Sequence, residues 1–404
     1  MSRLRYALVG CGRRGQAHAA TVAQMRGTYE AVAVCDADRA SAERAAAFLG
    51  VPCFTDLRDM IEHIRVDVCD VVVPNELHHA VSVYLSQQGI HQNMETPLAP
   101  TLGLMDSMIE SARLHGVVLQ TAENFPFLPV EQMVVKLIRA GAIGRVWKCY
   151  RLFPVIWYHG LAAIRCRMGS RPLAVSSIGH TMSVVPYVDS VGRDFATEEL
   201  EFYAVDFENG GLAIAMSGNK NSALGRNRLI GFETDGERGT IITNGNQGVV
   251  GGETVNTCTD EDIVDRAGRA GTYEFRREHD SAGVLRRIWV DLPASLGGQI
   301  EWRNPYPDAK LEEPQIAVAT LLDALARSVT ESTAPAWSGE DGRLDREMML
   351  AAGRSIRANR QPVSLPLAVE PDEEAAFERD FSARFGIHPR EIPEKVIGVS
   401  FKAR

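Results

Sequence analysis

The chain has 404 residues, 45% of them hydrophobic and 24% charged, which is the composition of a globular protein with sequence for two cores. Its formal net charge is −9 and it carries no basic block, which argues against nucleic acid or an anionic membrane as a partner. No apolar run approaches the length of a membrane span.

The first stretch, Leu4 to Ala20, organises the rest of the chain. Tyr6 to Val9 cluster as a buried strand, Gly10-Cys11-Gly12-Arg13-Arg14-Gly15 come next, and Gln16 to Met25 read as a helix. A strand and a helix on either side make this G-x-G-x-x-G pattern informative. Gly10 suits a tight turn, Gly12 lets a pyrophosphate approach the backbone, and Gly15 lets the helix pack near the strand. The helix N-terminus supplies N–H groups and partial positive charge for phosphates. Glu30 to Cys35 forms the next strand, and Asp36 stands 21 residues beyond Gly15, where a carboxylate binds the adenosine ribose hydroxyls. A carboxylate there repels a 2′-phosphate, so NAD is the expected cofactor, with Arg13, Arg14 and Arg39 keeping NADP as the alternative.

Alternation continues through a helix at Ala40 to Leu49 and a buried strand at Asp67 to Val73 that ends at Pro74-Asn75. Leu77, Val81, Tyr84 and Leu85 line one helical face, closed by Gly89. Gln92 to Met94 lead into Glu95-Thr96-Pro97, a helix spans Thr101 to Leu114, and Val117 to Thr121 is a strand ending at Glu123-Asn124. This order predicts a parallel sheet with helices on both faces. Ligands of such sheets bind beyond the carboxyl ends of the strands, so Gly10, Asp36, Pro74, Asn75, Glu95, Thr96 and Asn124 should converge on one crevice.

Beyond about residue 125 the pattern changes. Glu131 to Ala140 is helical and Val146 to Ile156 reads as a long strand. Leu173 to Asp189 reads as a helix, and Leu200 to Phe207, Leu212 to Gly218 and Leu229 to Thr234 as strands separated by turn signals such as Asn209-Gly210-Gly211. Gly251 to Pro307, rich in glycine and charge, reads as irregular strands and loops. Ile316 to Val329 is helical, Ser338 caps a helix reaching about Ala358, Pro366 to Pro371 is a hinge, and Asp372 to Phe385 is a last helix. Its Phe377, Phe381 and Phe385 recur every fourth residue and need a partner surface. The expected segments are therefore 1–124, 125–367 with an open, mostly antiparallel sheet, and a C-terminal helix and tail at 368–404. The seven cysteines are odd in number and form no C-x-x-C pair, and no stretch has metal-ligand spacing; with no signal-peptide pattern at the start, this fits reduced thiols in a cytoplasmic protein.

Taken together these motifs resemble the glucose–fructose oxidoreductase / inositol dehydrogenase (Gfo/Idh/MocA) family. The matching pieces are Gly10 to Gly15, Val34-Cys35-Asp36, Pro74-Asn75 with Leu77-His78, Glu95-Thr96-Pro97-Leu98-Ala99, Glu123-Asn124-Phe125, Gly141-Ala142-Ile143-Gly144 and Ser355 with Pro362-Val363. The resemblance implies an α/β protein with an N-terminal Rossmann domain and a C-terminal α/β domain whose sheet often serves as an oligomer interface. It implies NAD(P)-dependent oxidation or reduction of sugars, cyclitols or related polyols by a homo-oligomer, dimer or tetramer. It also implies that one of His78 and His79, with His78 the candidate, lies near the nicotinamide ribose, where a helix N-terminal surface role is the alternative. A core or capping role suits His18, and turn formation alone could account for Asn124.

Two positions depart from the family pattern. The family lysine before the proline is Thr96, whose hydroxyl has no accessible pKa for proton exchange. The aspartate and histidine expected in the second domain become Ser177 with His180 or Thr181. Three readings are open. Tyr158, His159 and His180 could take over proton transfer in an oxidoreductase. The same groups could serve a redox-neutral NAD-dependent glycoside hydrolase or lyase, acting by transient oxidation and elimination, since the chain also resembles the NAD-dependent α-N-acetylgalactosaminidase branch. Or the protein could bind NAD without catalysis. Arg165 and Arg167 read as exposed charge or as a site for an acidic substrate.

Overall fold

The computed structural model describes residues 3–152, 157–188, 194–218, 231–244, 253–257 and 271–400. The chain divides into two compact units: Met1–Phe127 with Asp308–Arg346 and Ala368–Arg404, and Leu128–Pro307 with Glu347–Leu367. Residues 308–346 thus pack with the N-terminal unit, where the sequence placed them in the second domain.

The first unit begins with β1 (Leu4–Val9), α1 (Arg13–Val22), β2 (Tyr29–Cys35), α2 (Arg39–Leu49), β3 (Cys53–Phe54) and α3 (Leu57–His63). It continues with β4 (Val68–Val71), α4 (His78–Gln87), β5 (His91–Met94), α5 (Leu102–His115) and β6 (Leu119–Thr121). The six strands pair in parallel in the order β3-β2-β1-β4-β5-β6. Order and direction are those of a doubly wound nucleotide-binding sheet. Tyr6, Ala7, Leu8 and Val9 have no exposed surface, as a strand covered on both faces requires. Local signals set the helix ends: the Asp38 carboxylate accepts the Ser41 N–H at the start of α2, and α5 ends at Gly116 in the left-handed region.

The second unit holds α6 (Pro129–Arg139), β7 (Val146–Leu152), α7 (Trp157–Met168), β8 (Pro172–Val188), β9 (Asp194–Phe207), β10 (Leu212–Gly218), β11 (Gly231–Gly236) and β12 (Gly239–Asn244). After these come β13 (Thr254–Thr257), β14 (Gly271–Glu274), β15 (Arg276–His279), β16 (Leu285–Asp291) and β17 (Gln299–Arg303). Later in the chain are α8 (Glu313–Glu331), α9 (Gly339–Arg357), β18 (Val363–Ser364), α10 (Pro371–Phe385) and α11 (Pro393–Ser400). Nine described strands form one sheet in the order β14-β13-β12-β11-β7-β10-β9-β8-β18, antiparallel except for β7 beside β10.

Two expectations are corrected in this unit. Leu173 to Asp189 is not a helix: residues 172–188 are strand β8, paired along β9. Val175, Ile178, Thr181, Val184, Val185 and Val188 favour the extended chain, and Pro186 opposes a helix interior. Within Gly251 to Pro307 the described residues are more regular than expected, because β15, β16 and β17 form an antiparallel meander. The expected strand ends at Ile156 and Leu229, and Cys258, lie outside the described residues.

One face of the large sheet is covered and the other is open. Cys149, Val205, Ala213, Thr234 and Ile241 share the covered face by register and are buried. Arg167 of α7 lies on this face, bonding Thr234 Oγ1 at 3.1 Å and Thr243 Oγ1 at 2.8 Å. Ile178 and Phe202 are partners on the opposite, open face.

Candidate cofactor site

The glycine loop divides its labour. A Cβ at Gly10, whose φ is +96°, would sit 2.3 Å from the Val72 carbonyl oxygen, and one at Gly15 would sit 2.0 Å from the Gly10 carbonyl oxygen. The chain's own packing therefore demands both glycines. A Cβ at Gly12 would meet nothing within 4 Å. Gly12 is the N-cap of α1, no side chain caps that helix start, and its first turn carries no acidic residue. This open, electropositive cradle fits a pyrophosphate.

Asp36 closes the neighbouring side. Its Oδ2 accepts the Cys11 N–H at 2.6 Å and its Oδ1 accepts the Asp38 N–H at 2.8 Å, so the carboxylate is fixed against the glycine loop. Each oxygen keeps a further lone pair for a ribose hydroxyl. Arg13 is exposed and Arg14 half-buried at the start of α1.

The remaining strand ends are tied to one another. Asn75 Nδ2 donates to the Pro97 carbonyl. His78 is buried, with Nε2 2.9 Å from the Val73 carbonyl and Nδ1 3.1 Å from that of Leu98. Burial pushes its pKa down against the pull of these carbonyls. His78 is thus a clamp between the ends of β4 and β5, with both ring nitrogens turned to main chain rather than to a ligand. Pro74, Thr96 and Asn124 are partly exposed beyond β4, β5 and β6, on the same carboxyl edge as Gly10 and Asp36. Glu95 is buried beneath them: Arg14 Nε donates to its Oε1, and its Oε2 accepts both the N–H and, at 2.9 Å, the hydroxyl of Thr96. Burial raises the Glu95 pKa, but His18 and Arg14 outweigh it and hold the carboxyl well below its usual range. Glu95 is therefore a fixed anion.

Below Glu95 lies a buried polar network that the sequence reading missed. Asp70 in β4 has no exposed surface; its Oδ2 accepts from Tyr6 Oη at 2.8 Å and lies 2.8 Å from His18 Nδ1, and its Oδ1 accepts from Asn93 at 2.9 Å. Gln120 Nε2 donates in turn to Asn93 at 3.1 Å and to the Leu321 carbonyl at 2.9 Å. The signal was present: Asp70, Asn93 and Gln120 interrupt strands that should be apolar throughout.

The other predicted residues lie in the second unit. Tyr158 and His159 open α7 with their rings in edge contact, 4.4 Å between centroids. His180 does not join them. It is exposed in β8 opposite Leu200, and the strand alternation through Ile178 puts its side chain on the open face, away from the face that carries α7. Arg167, expected as exposed charge or as a site for an acidic substrate, is instead fully buried and paired with Glu131 at 2.8 and 2.9 Å. Among the described residues no group of His, Cys, Asp and Glu side chains could hold a metal, and no helix is long and apolar enough to cross a membrane.

Comparison with known proteins bears on this site. The chain is 30% identical over 145 residues to D-apiose dehydrogenase of Paraburkholderia graminis, a match covering 36% of this chain and 38% of that protein. It is 26% identical over 156 residues to a glycosyl hydrolase family 109 protein of a Shewanella species, covering 36% and 34%. The matches thus span well under half the length of either relative. A solved levoglucosan dehydrogenase in complex with NADH and levoglucosan has a similar fold, with a TM-score of 0.67 at 21% identity over 91% of this chain and 100% of that one. Residues 4–123 match the family model described as an oxidoreductase family with an NAD-binding Rossmann fold, GFO_IDH_MocA, and both the cradle at Gly12 and the anchored Asp36 lie within that NAD-binding Rossmann stretch.

Proposed function

We propose that the whole chain is an NAD-dependent oxidoreductase of the Gfo/Idh/MocA type, moving hydride between nicotinamide and a carbinol or carbonyl carbon of a sugar, cyclitol or related polyol. The observation that carries this reading is the open cradle at Gly12 beside an Asp36 carboxylate already fixed by the loop's own Cys11 N–H. The same carboxylate would meet a 2′-phosphate with like charge, which favours NAD over NADP. The bound dinucleotide supplies hydride chemistry, and the protein supplies orientation and a proton acceptor.

That acceptor is the unusual part. Thr96 stands where typical members of the family carry lysine, and its hydroxyl already donates to Glu95. Glu95, held ionised by two cations, is a weak base. We assign proton transfer to Tyr158 and His159, which touch each other at the start of α7; His180 on the open face of β8 has no support from them. Purified protein mixed with NAD or NADH and a panel of polyols and their keto forms should show substrate-dependent change at the NADH absorbance. Tyr158→Phe and His159→Asn should each lower kcat by roughly 10² or more with NADH affinity unchanged. Normal turnover in both variants removes the assignment.

A second reading is favoured by Thr96 together with the glycosyl hydrolase family 109 relative. In it the hydride returns to the substrate after elimination, so product forms from a glycoside without net change in NADH. Quantifying both product and NADH in one reaction separates the two.

A further inference from the structure

The buried chain of side chains under the crevice has no part in the chemistry assigned above. It runs from Gln120 through Asn93 to Asp70, from Asp70 to His18, and from His18 to Glu95, whose two oxygens hold Arg14 and Thr96. Four parallel strands and α1 each contribute a member: Tyr6 from β1, Asp70 from β4, Asn93 from β5, Gln120 from β6 and His18 from α1. An all-apolar sheet would be cheaper to fold, because each of these groups has to be desolvated and paired.

The geometry says where the network leads. Asp70 Oδ2 holds His18 Nδ1 at 2.8 Å, which fixes the ring and points Nε2 the other way. Nε2 is buried, forms no hydrogen bond within the usual limit, and lies 3.6 Å from Glu95 Oε1. Glu95 is the last buried member; Arg14, with 40% of its side chain exposed, and Thr96, partly exposed, are the first at the surface. Arg14 lies in the first turn of α1, after β1 and the glycine turn, and Thr96 comes after β5, so one buried carboxylate sets two crevice residues from different strand ends.

We propose that His18 is a positioning residue for cofactor binding: held by Asp70, its imidazolium fixes the Glu95 carboxylate, which in turn sets Arg14 and Thr96 against the dinucleotide. This rests on the reading of the crevice as an NAD site. The charges alternate along the chain, Asp70 negative, His18 positive, Glu95 negative and Arg14 positive, so no buried charge lacks an opposite neighbour. A neutral His18 would leave Asp70 and Glu95 facing each other across the ring, and Glu95 would lose one of its two cations.

A purely structural His18 and a positioning His18 make different predictions for a charge-balanced double variant. His18→Gln alone leaves Asp70 without a cation and should lower Tm. Adding Asp70→Asn removes the buried charge and should bring Tm back toward that of the wild type. NADH affinity, read by fluorescence titration, should nevertheless stay at least about tenfold weaker in His18→Gln/Asp70→Asn, because Glu95 is still unguided. Glu95→Gln, which keeps the Asp70–His18 pair, should show the same weakening, and it serves the test if the His18 variants fail to fold. Recovery of wild-type NADH affinity together with Tm in the double variant, or wild-type affinity in Glu95→Gln, overturns the proposal. Failure of the wild-type protein to bind NADH at all overturns instead the reading on which it rests.

Discussion

A methyl group added at Gly12 and one added at Gly10 meet opposite surroundings, and this separates binding from folding at single residues. Ala at Gly12 enters open space at a helix N-cap with an ordinary φ of −65°. Gly12→Ala should leave unfolding free energy within about 0.5 kcal/mol of wild type while weakening NADH binding roughly tenfold or more, since the pyrophosphate then meets a side chain. Gly10→Ala should destabilise the fold by about 2 kcal/mol or more in urea, because the new Cβ falls on the Val72 carbonyl at a positive φ. His18 adds a pH dependence. Burial pushes its pKa down, but Asp70 and Glu95 more than reverse this and push it up to about 9. A histidine raised in the folded state stabilises fully below its unfolded pKa near 6.5, and that contribution disappears as pH rises through about 9. The full amount is ~3 kcal/mol, so Tm should fall between neutral pH and about pH 10 in the wild type and much less in His18→Gln. A wild-type Tm flat over that range contradicts a charged His18. The glycine spacing and Asp36 were legible in sequence because loop chemistry is local. The His18 network left only a partial trace, the polar residues inside apolar strands, because its members come from five elements and meet only when the sheet forms.

At the scale of elements, the buried Arg167–Glu131 pair joins α6 and α7 to each other and to the large sheet. Arg167 has no exposed surface, uses two nitrogens on Glu131 and two on the threonine hydroxyls of β11 and β12, and lies 4.2 Å over the Phe232 ring. Such a pair stabilises little over a well-packed apolar pair, yet removing one partner leaves an uncompensated charge. Arg167→Met should therefore cost about 3–5 kcal/mol of unfolding free energy, whereas Arg167→Met with Glu131→Met should recover most of that loss. Equal destabilisation in the single and double variants would mean that α7 is held by its apolar contacts. From sequence, an arginine flanking Cys166 reads as a surface cation, because nothing local shows that Glu131 and two threonines await it. The same limit explains β8. Its β-branched residues and Pro186 lean toward the strand, and pairing with the long β9, a partner not visible in the stretch itself, fixes it.

For the molecule as a whole, contiguity in sequence misleads about which parts fold together. The carboxyl ends of the first sheet could be read off in order, because alternating strands and helices imply their own topology. That residues 308–346 return to the first unit could not, since α8 carries no mark of its partner. The link is tertiary, as where Tyr29 Oη donates to the Leu322 carbonyl at 2.6 Å. The second sheet raises a question of the same scale. Ile178, Met182 and Phe202 are 41%, 55% and 43% exposed on its open face, and they are neighbours by register: Ile178 pairs with Phe202, and Met182 is four residues further along β8. Contiguous apolar surface on a sheet is unfavourable in water and is usually covered. The family resemblance expects this sheet to be an oligomer interface, and a second copy presenting the same face would bury both patches at once. Replacing Met182 and Phe202 by glutamate places two charges per copy in that contact. On this view the wild type should sediment as a dimer or larger and Met182→Glu/Phe202→Glu as a monomer, with an unchanged far-UV spectrum, because both side chains point away from the covered core. A monomeric wild type, or a double variant that keeps an oligomeric wild-type mass, would overturn this role for the open face of β8 and β9.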